Sequence, residues 1–204
     1  EIPCITSACN LSDKANINTF IKEGKEYIEL ANKLDVPFIR ILGDLNPQPS
    51  ENVDFDFTAE NLSILANYAK NMNVTILIET NGIYAESKTM LKLMETVNNK
   101  SVGVLWDVHH PFRFYNETIS KTYNTLKDYI KFIHIKDSIV ADQKIKYKMM
   151  GHGDVPVKEA LILLRDNGYS GYVSLEWVKR WNMELEEPGI VFSHYINFVK
   201  TTLS

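Results

Sequence analysis

The chain has 204 residues, of which 45% are hydrophobic and 24% are charged, and its formal net charge is −4 at pH 7. These values are typical of a globular protein and exclude an intrinsically disordered or fibrous chain. The negative net charge argues against a nucleic-acid-binding domain, because such domains are usually basic. Two cysteines, Cys4 and Cys9, do not make a disulfide-rich secreted domain, and no apolar run is long enough to span a membrane. We therefore expect a single domain over residues 1–204, located in the cytoplasm, that binds neither nucleic acid nor membranes.

Six short runs rich in Val, Ile and aromatic residues are predicted to be β-strands. Each run has five or six residues and is mostly apolar on both faces, which is typical of parallel strands that are covered on two sides. The predicted strands are residues 2–7, 37–42, 74–79, 102–107, 130–135 and 172–176.

Amphipathic segments with helical spacing of their apolar residues alternate with these strands. They cover residues 17–34, 59–71, 87–97, 118–129, 157–167 and 189–203. For the second of them, Thr58 is the predicted N-cap. The alternation predicts repeated βα units of a barrel or of a doubly wound sheet.

Ionisable side chains stand at the carboxyl ends of four consecutive predicted strands. Glu79, Asp107 and Glu176 each end a strand, and His134 lies near the end of the fifth one. In a TIM barrel the carboxyl ends of all strands converge on one mouth, where active sites lie. We therefore predict an α/β fold of the TIM (β/α)8 type in which these four residues meet.

Three carboxylates and one imidazole are a ligand set suited to one divalent ion, such as Mn²⁺, Mg²⁺, Co²⁺ or Zn²⁺. Without a cation, clustered carboxylates repel one another. Taken singly, each residue has a plainer interpretation, as a helix-capping or surface charge or as a core histidine. Their coincidence at strand ends favours a metal site.

Five strings carry a resemblance to a known family: IETNG (78–82), WDVHHP (106–111), FIHIKDS (132–138), GHGD (151–154) and VSLEW (173–177). Together they resemble the sugar phosphate isomerase/epimerase superfamily of xylose isomerase-like TIM barrels. The resemblance implies an eight-unit barrel. Six units are visible here, so the first two are expected to be missing from an N-terminally truncated chain.

The resemblance also implies roles for the residues at the strand ends. It makes Glu79, Asp107, His134 and Glu176 the metal ligands, and it makes Glu79 and Glu176 a catalytic acid/base pair. The substrate-binding histidine of the family matches His110. Lys136 and Asp137, which follow the fifth strand, are interpreted as further substrate contacts, although Lys136 could equally form a salt bridge with a neighbouring carboxylate.

The implied activity is a divalent-metal-dependent isomerase or epimerase of a small sugar or sugar derivative. An inosose-type dehydratase on the same metal site and a non-catalytic barrel that binds sugar or metal are the alternatives. A multi-zinc DNA repair endonuclease is disfavoured because the additional histidines of that class are absent. The expected partner is a small sugar, and a homo-oligomer is left open.

Overall fold

A computed structural model describes all residues of the chain, 1–204. Six parallel strands, β1–β5 and β8, form one sheet in chain order, and β6 and β7 form a separate antiparallel hairpin. The strands are β1 (Cys4–Asn10), β2 (Phe38–Leu42), β3 (Thr75–Glu79), β4 (Val102–Asp107), β5 (Ile130–Ile135), β6 (Asp137–Ala141), β7 (Lys144–Lys148) and β8 (Tyr172–Leu175).

Seven α-helices connect or follow the strands. They are α1 (Ile17–Lys33), α2 (Phe55–Ala69), α3 (Ser87–Val97), α4 (His109–Tyr115), α5 (Ile119–Leu126), α6 (Val157–Asp166) and α7 (Pro188–Leu203). Their apolar faces and the outer face of the sheet form a core cluster of 35 buried residues. None of these helices combines the length and the apolar character that crossing a membrane requires.

The central strands β3 and β4 are buried on both faces, and alternation along each strand decides which residues face inward. In β3, Ile76 and Ile78 join the core under the helices, whereas Leu77 faces the other side of the sheet. The inner side holds a smaller apolar cluster of Leu77, Leu105 and Phe132. Because side chains alternate with a period of two, the residues two positions further along share that inner side: they are Glu79, Asp107 and His134.

The predicted parallel βα arrangement is confirmed, and the six strands form a curled half-barrel. Its edge strands are β1 and β8. The curvature brings the two edges towards each other, since the hydroxyl of Tyr172 in β8 donates a hydrogen bond to the carboxylate of Glu1, ahead of β1. This curvature is what allows residues from well-separated strands to meet on the inner side.

Several predicted boundaries were wrong by up to four residues, and two of them have a clear local reason. The first strand begins at Cys4 rather than residue 2, because parallel pairing with β2 starts at Cys4 and Phe38, and Pro3 has no N–H to donate. The second helix begins at Phe55, four residues earlier than predicted, because the side chain of Asp54 accepts a hydrogen bond from the backbone of Phe57. Asp54, not Thr58, is therefore the N-cap.

Two further elements, α4 and the β6–β7 hairpin, were not predicted. The helix has only seven residues, too few for a clear period, and Pro111 lies in its first turn, where an N–H is not needed. In the hairpin, Ala141 pairs with Lys144 across a two-residue turn. Both turn residues, Asp142 and Gln143, have positive φ, as tight hairpin turns require.

Candidate metal centre

The four residues predicted to bind a metal lie together at the carboxyl edge of the sheet. One donor atom each from Glu79, Asp107, His134 and Glu176 lies within 4.8 Å of all the others. The prediction that these head groups meet is therefore confirmed. Glu79 and Asp107 are almost completely buried, whereas the side chain of Glu176 is 25% exposed, which leaves one side of the cluster open to solvent.

Glu79 is held by one partner on each carboxylate oxygen. Nδ1 of His134 lies 3.2 Å from Oε1, and Nε of Arg40, on the neighbouring strand β2, lies 3.2 Å from Oε2. Burial by itself would raise the pKa of Glu79, but the hydrogen bond from His134 and the charge of Arg40 outweigh it and lower the pKa to about 2. Glu79 is therefore a carboxylate at neutral pH.

Lys136 is the second buried cation of the cluster. Its ammonium group forms ion pairs with Oδ2 of Asp107 and Oε2 of Glu176. Burial by itself would lower the pKa of Lys136, but the surrounding carboxylates outweigh it and raise that pKa. Burial would likewise raise the pKa of Glu176, but the charge of Lys136 helps to lower it. The salt-bridge interpretation of Lys136 is what the structure shows. Its predicted substrate contact remains a prediction.

Asp107 is positioned by the segment that follows β3. The hydroxyl of Thr80 accepts a hydrogen bond from the backbone N–H of Asp107 at 2.8 Å and donates one to its carbonyl at 3.1 Å. The backbone N–H of His109 donates to Oδ1 of Asp107 at 2.9 Å. Thr80 thus fixes the backbone of Asp107, and the backbone of His109 orients its carboxylate.

His110 points an unpaired ring nitrogen towards the same cluster. Its Nδ1 lies 2.9 Å from the carbonyl oxygen of Thr80, so Nδ1 carries a proton. Burial lowers the pKa of His110, which favours the neutral ring and leaves a lone pair on Nε2. This Nε2 is buried, has no hydrogen-bond partner and lies 3.6 Å from Oδ2 of Asp107. It is therefore free to bind a ligand hydroxyl, although the predicted substrate role is untested.

Thr80 orients both Asp107 and His110, and we expect a Thr80→Val variant to lose metal affinity. Valine keeps the shape but removes the hydroxyl, so the Asp107 backbone loses both partners. Outer hydrogen-bond partners of metal ligands typically contribute about 10–100-fold to affinity, and we expect a loss of Mn²⁺ affinity in that range, measured by titration calorimetry. Thr125→Val, which removes an exposed hydroxyl bonded to Lys121, is the control. Equal Mn²⁺ affinity in both variants would contradict this role.

Asp137 makes contacts that its predicted substrate role does not require. Its carboxylate accepts four backbone N–H groups, at distances from 2.8 to 3.2 Å. The donors are Ser138, Gly151, Gly153 and Val155. These contacts hold the GHGD segment, residues 151–154, against the end of β5. The substrate contact of Asp137 stays a prediction.

Sequence reasoning did not find the positioning role of Thr80 or the pairing of Arg40 with Glu79. A signal for Arg40 exists, since it is a charged residue between Ile39 and Ile41, which are both fully buried. Thr80 has no such signal, because its hydroxyl acts on the backbone of a residue 27 positions away.

The chain belongs to the xylose isomerase-like TIM barrel family, whose profile matches residues 1–192. Fructoselysine 3-epimerase from Escherichia coli O157:H7 is 27% identical over 142 residues, which cover 67% of this chain and 50% of that protein. The chain thus spans about half the length of this curated relative.

Solved structures share the fold. A xylose isomerase-like TIM barrel protein from Mycobacterium smegmatis, crystallised in complex with magnesium, is 16% identical with a TM-score of 0.78, over 100% of this chain and 74% of that one. The probable 3-DHS dehydratase AsbF from Bacillus anthracis is 18% identical with a TM-score of 0.72, over 87% of this chain and 70% of that one.

Proposed function

We propose that the protein is a divalent-metal-dependent epimerase or isomerase of a small sugar or sugar derivative. The observation that carries the proposal is the group of four donor atoms within 4.8 Å at the carboxyl edge of the sheet. Three carboxylates and an imidazole fit Mn²⁺, Mg²⁺, Co²⁺ or Zn²⁺.

The relatives support this assignment of activity and metal. The E. coli protein is named as a 3-epimerase of a ketose derivative, and the M. smegmatis protein of the same fold is described in complex with magnesium. Family membership supports the fold on which such a site can be built.

Glu79 and Glu176 are the proposed acid/base pair. One glutamate, as the carboxylate, removes the proton from the carbon beside the sugar carbonyl. The other, as the carboxylic acid, returns a proton to the opposite face, and proton exchange with solvent then restores the pair. A bound divalent ion would supply Lewis-acid polarisation of the carbonyl oxygen. Lys136 lies between Asp107 and Glu176, where its charge favours negative charge developing on that oxygen, and Nε2 of His110 accepts a hydrogen bond from a sugar hydroxyl.

A dehydratase is the second candidate, because AsbF shares the fold over most of this chain. The same carboxylate would remove the proton beside the carbonyl, and water would then leave from the neighbouring carbon. This chemistry uses the same proposed metal ligands and therefore predicts the same metal dependence.

A substrate panel in deuterated water tests both candidates. The whole protein is incubated with Mn²⁺ and a neutral ketose, a ketose phosphate, fructoselysine or an inosose, and products are followed by NMR and mass spectrometry. An epimerase inverts one carbon and places solvent deuterium there, whereas a dehydratase yields a product lighter by one water. We expect inversion with deuterium incorporation that EDTA abolishes. Turnover that EDTA leaves unchanged, or no exchange with any compound, would contradict the proposed function.

A further inference from the structure

A cavity of about 560 Å³ is lined by eight residues, half of them hydrophobic and half polar or charged. This volume is in the range of small-molecule pockets. Its polar and aromatic lining residues are Gln48, Arg113, Phe114, Gln143, Lys144 and Tyr147. These residues come from the loop after β2, from α4 and from the β6–β7 hairpin. All three segments follow the carboxyl ends of sheet strands, so the cavity lies at the same end of the sheet as the four predicted ligands.

The lining carries two cations and no carboxylate. The side chain of Arg113 is only 9% exposed. Its three hydrogen bonds within the protein all come from Nη2, which donates to the carbonyl oxygen of Ser138 at 3.0 Å, to Oγ of Ser138 at 2.8 Å and to the carboxylate of Asp154. Its Nε is buried and has no partner. Asp154 balances part of the charge from an exposed position. The guanidinium is therefore fixed in place with donor capacity left over.

Lys144 is the second cation and stands next to the hairpin turn. The two positive-φ residues Asp142 and Gln143 make this turn short, so the position of Lys144 is defined by the hairpin. Lys146, two residues along, pairs with Asp142, whereas Lys144 forms no ion pair. The side-chain amides of Gln48 and Gln143 add neutral donors to the same cavity. Such a combination of Arg, Lys and amide groups suits a carboxylate or a phosphate.

The aromatic wall of the cavity contacts the histidines beside the metal centre. The ring of Tyr147 lies 5.8 Å from that of His109, and the ring of Phe114 lies 5.9 Å from that of His110. His110 in turn borders Asp107. The cavity therefore adjoins the two histidines that border the predicted metal ligands.

We propose that this cavity binds the anionic end of the substrate, a carboxylate or phosphate carried by a ketose whose carbonyl lies at the metal centre. The proposal rests on the proposed function and specifies its substrate class. It assigns Arg113 and Lys144 to the anionic group and leaves the sugar end to Glu79, Glu176 and His110.

Binding measurements on Lys144→Gln test the proposal. The ligands are fructose, fructose 6-phosphate and fructuronate, which carries a carboxylate and no amine, titrated calorimetrically into the Mn²⁺-loaded whole protein. A lost charge-assisted hydrogen bond is expected to raise the Kd of the anionic ligand about tenfold, with the Kd of fructose unchanged. The phosphate and the carboxylate compounds show which anion is preferred. Lys146→Gln, the same change on the same strand but outside the cavity, should leave every Kd unchanged.

The outcomes separate this proposal from the proposed function. Equal Kd values for wild type and Lys144→Gln with both anionic ligands would overturn the cavity assignment, even if ketoses are turned over. A Lys144-dependent Kd for an anionic ketose, without turnover of any compound, would support the cavity and contradict the epimerase. Arg113→Lys provides a second variant, because lysine keeps the charge but loses the guanidinium fork, and it should weaken the same anionic ligand selectively.

Discussion

Replacing Glu176 with glutamine is expected to lower turnover by a factor of about 10²–10⁴, the usual contribution of general acid–base catalysis. Glutamine keeps the length of the side chain and one oxygen, but its amide cannot take up the substrate proton. That oxygen can still contact a metal ion and Lys136. We therefore expect the Glu176→Gln variant to fold normally and to retain some bound Mn²⁺ while losing activity on whichever ketose the wild type converts.

The measurement combines steady-state kinetics with metal analysis on the same samples. Glu184→Gln, a change of the same type at an exposed position in the loop after β8, is the matched control and should retain wild-type kcat. If Glu176→Gln retains near-wild-type kcat, the assignment of Glu176 as an acid/base group is wrong. If Glu176→Gln loses both Mn²⁺ and activity, the result shows only that Glu176 is a metal ligand. Deuterium exchange into the substrate at saturating Mn²⁺ then decides whether the variant can still transfer a proton.

Mn²⁺ is expected to raise the melting temperature of the wild-type protein and to have little effect on Asp107→Ala. An ion that binds only the folded state stabilises it by mass action, by about 2.7 kcal/mol at a hundredfold excess over Kd. For a chain of this length that corresponds to a shift of roughly 5–10 °C. Asp107 is fully buried among the other three predicted ligands, so its removal takes one donor from the centre of the site.

The comparison uses the shift caused by Mn²⁺ in each variant, because Asp107→Ala also changes the melting temperature by itself. Asp142→Ala removes an exposed carboxylate and should keep the full wild-type shift. Asp107→Asn keeps one oxygen and should give an intermediate shift, which preserves the test if the alanine variant does not fold. An equal rise in wild type and Asp107→Ala would mean that the ions bind elsewhere.

The residues of the candidate metal centre were identifiable from the sequence because strand periodicity is a local property. Alternating side chains place Glu79 beyond Leu77 and Asp107 beyond Leu105 on one side of the sheet. Parallel strands that follow one another in the chain align their carboxyl ends at one edge. Once the six parallel strands are recognised as part of a curved, barrel-type sheet, the meeting of Glu79, Asp107, His134 and Glu176 follows from their positions at the strand ends.

Most contacts that orient those residues were decided by the tertiary structure. Arg40 reaches Glu79 from the neighbouring strand, Thr80 bonds the backbone of Asp107, and Lys136 joins Asp107 to Glu176. These contacts depend on the register between strands and on the curvature of the sheet, neither of which leaves a period in the sequence. The same reason applies to the cavity of about 560 Å³. Its wall combines a seven-residue helix and a short hairpin, elements too brief to show a pattern before long-range packing holds them in place.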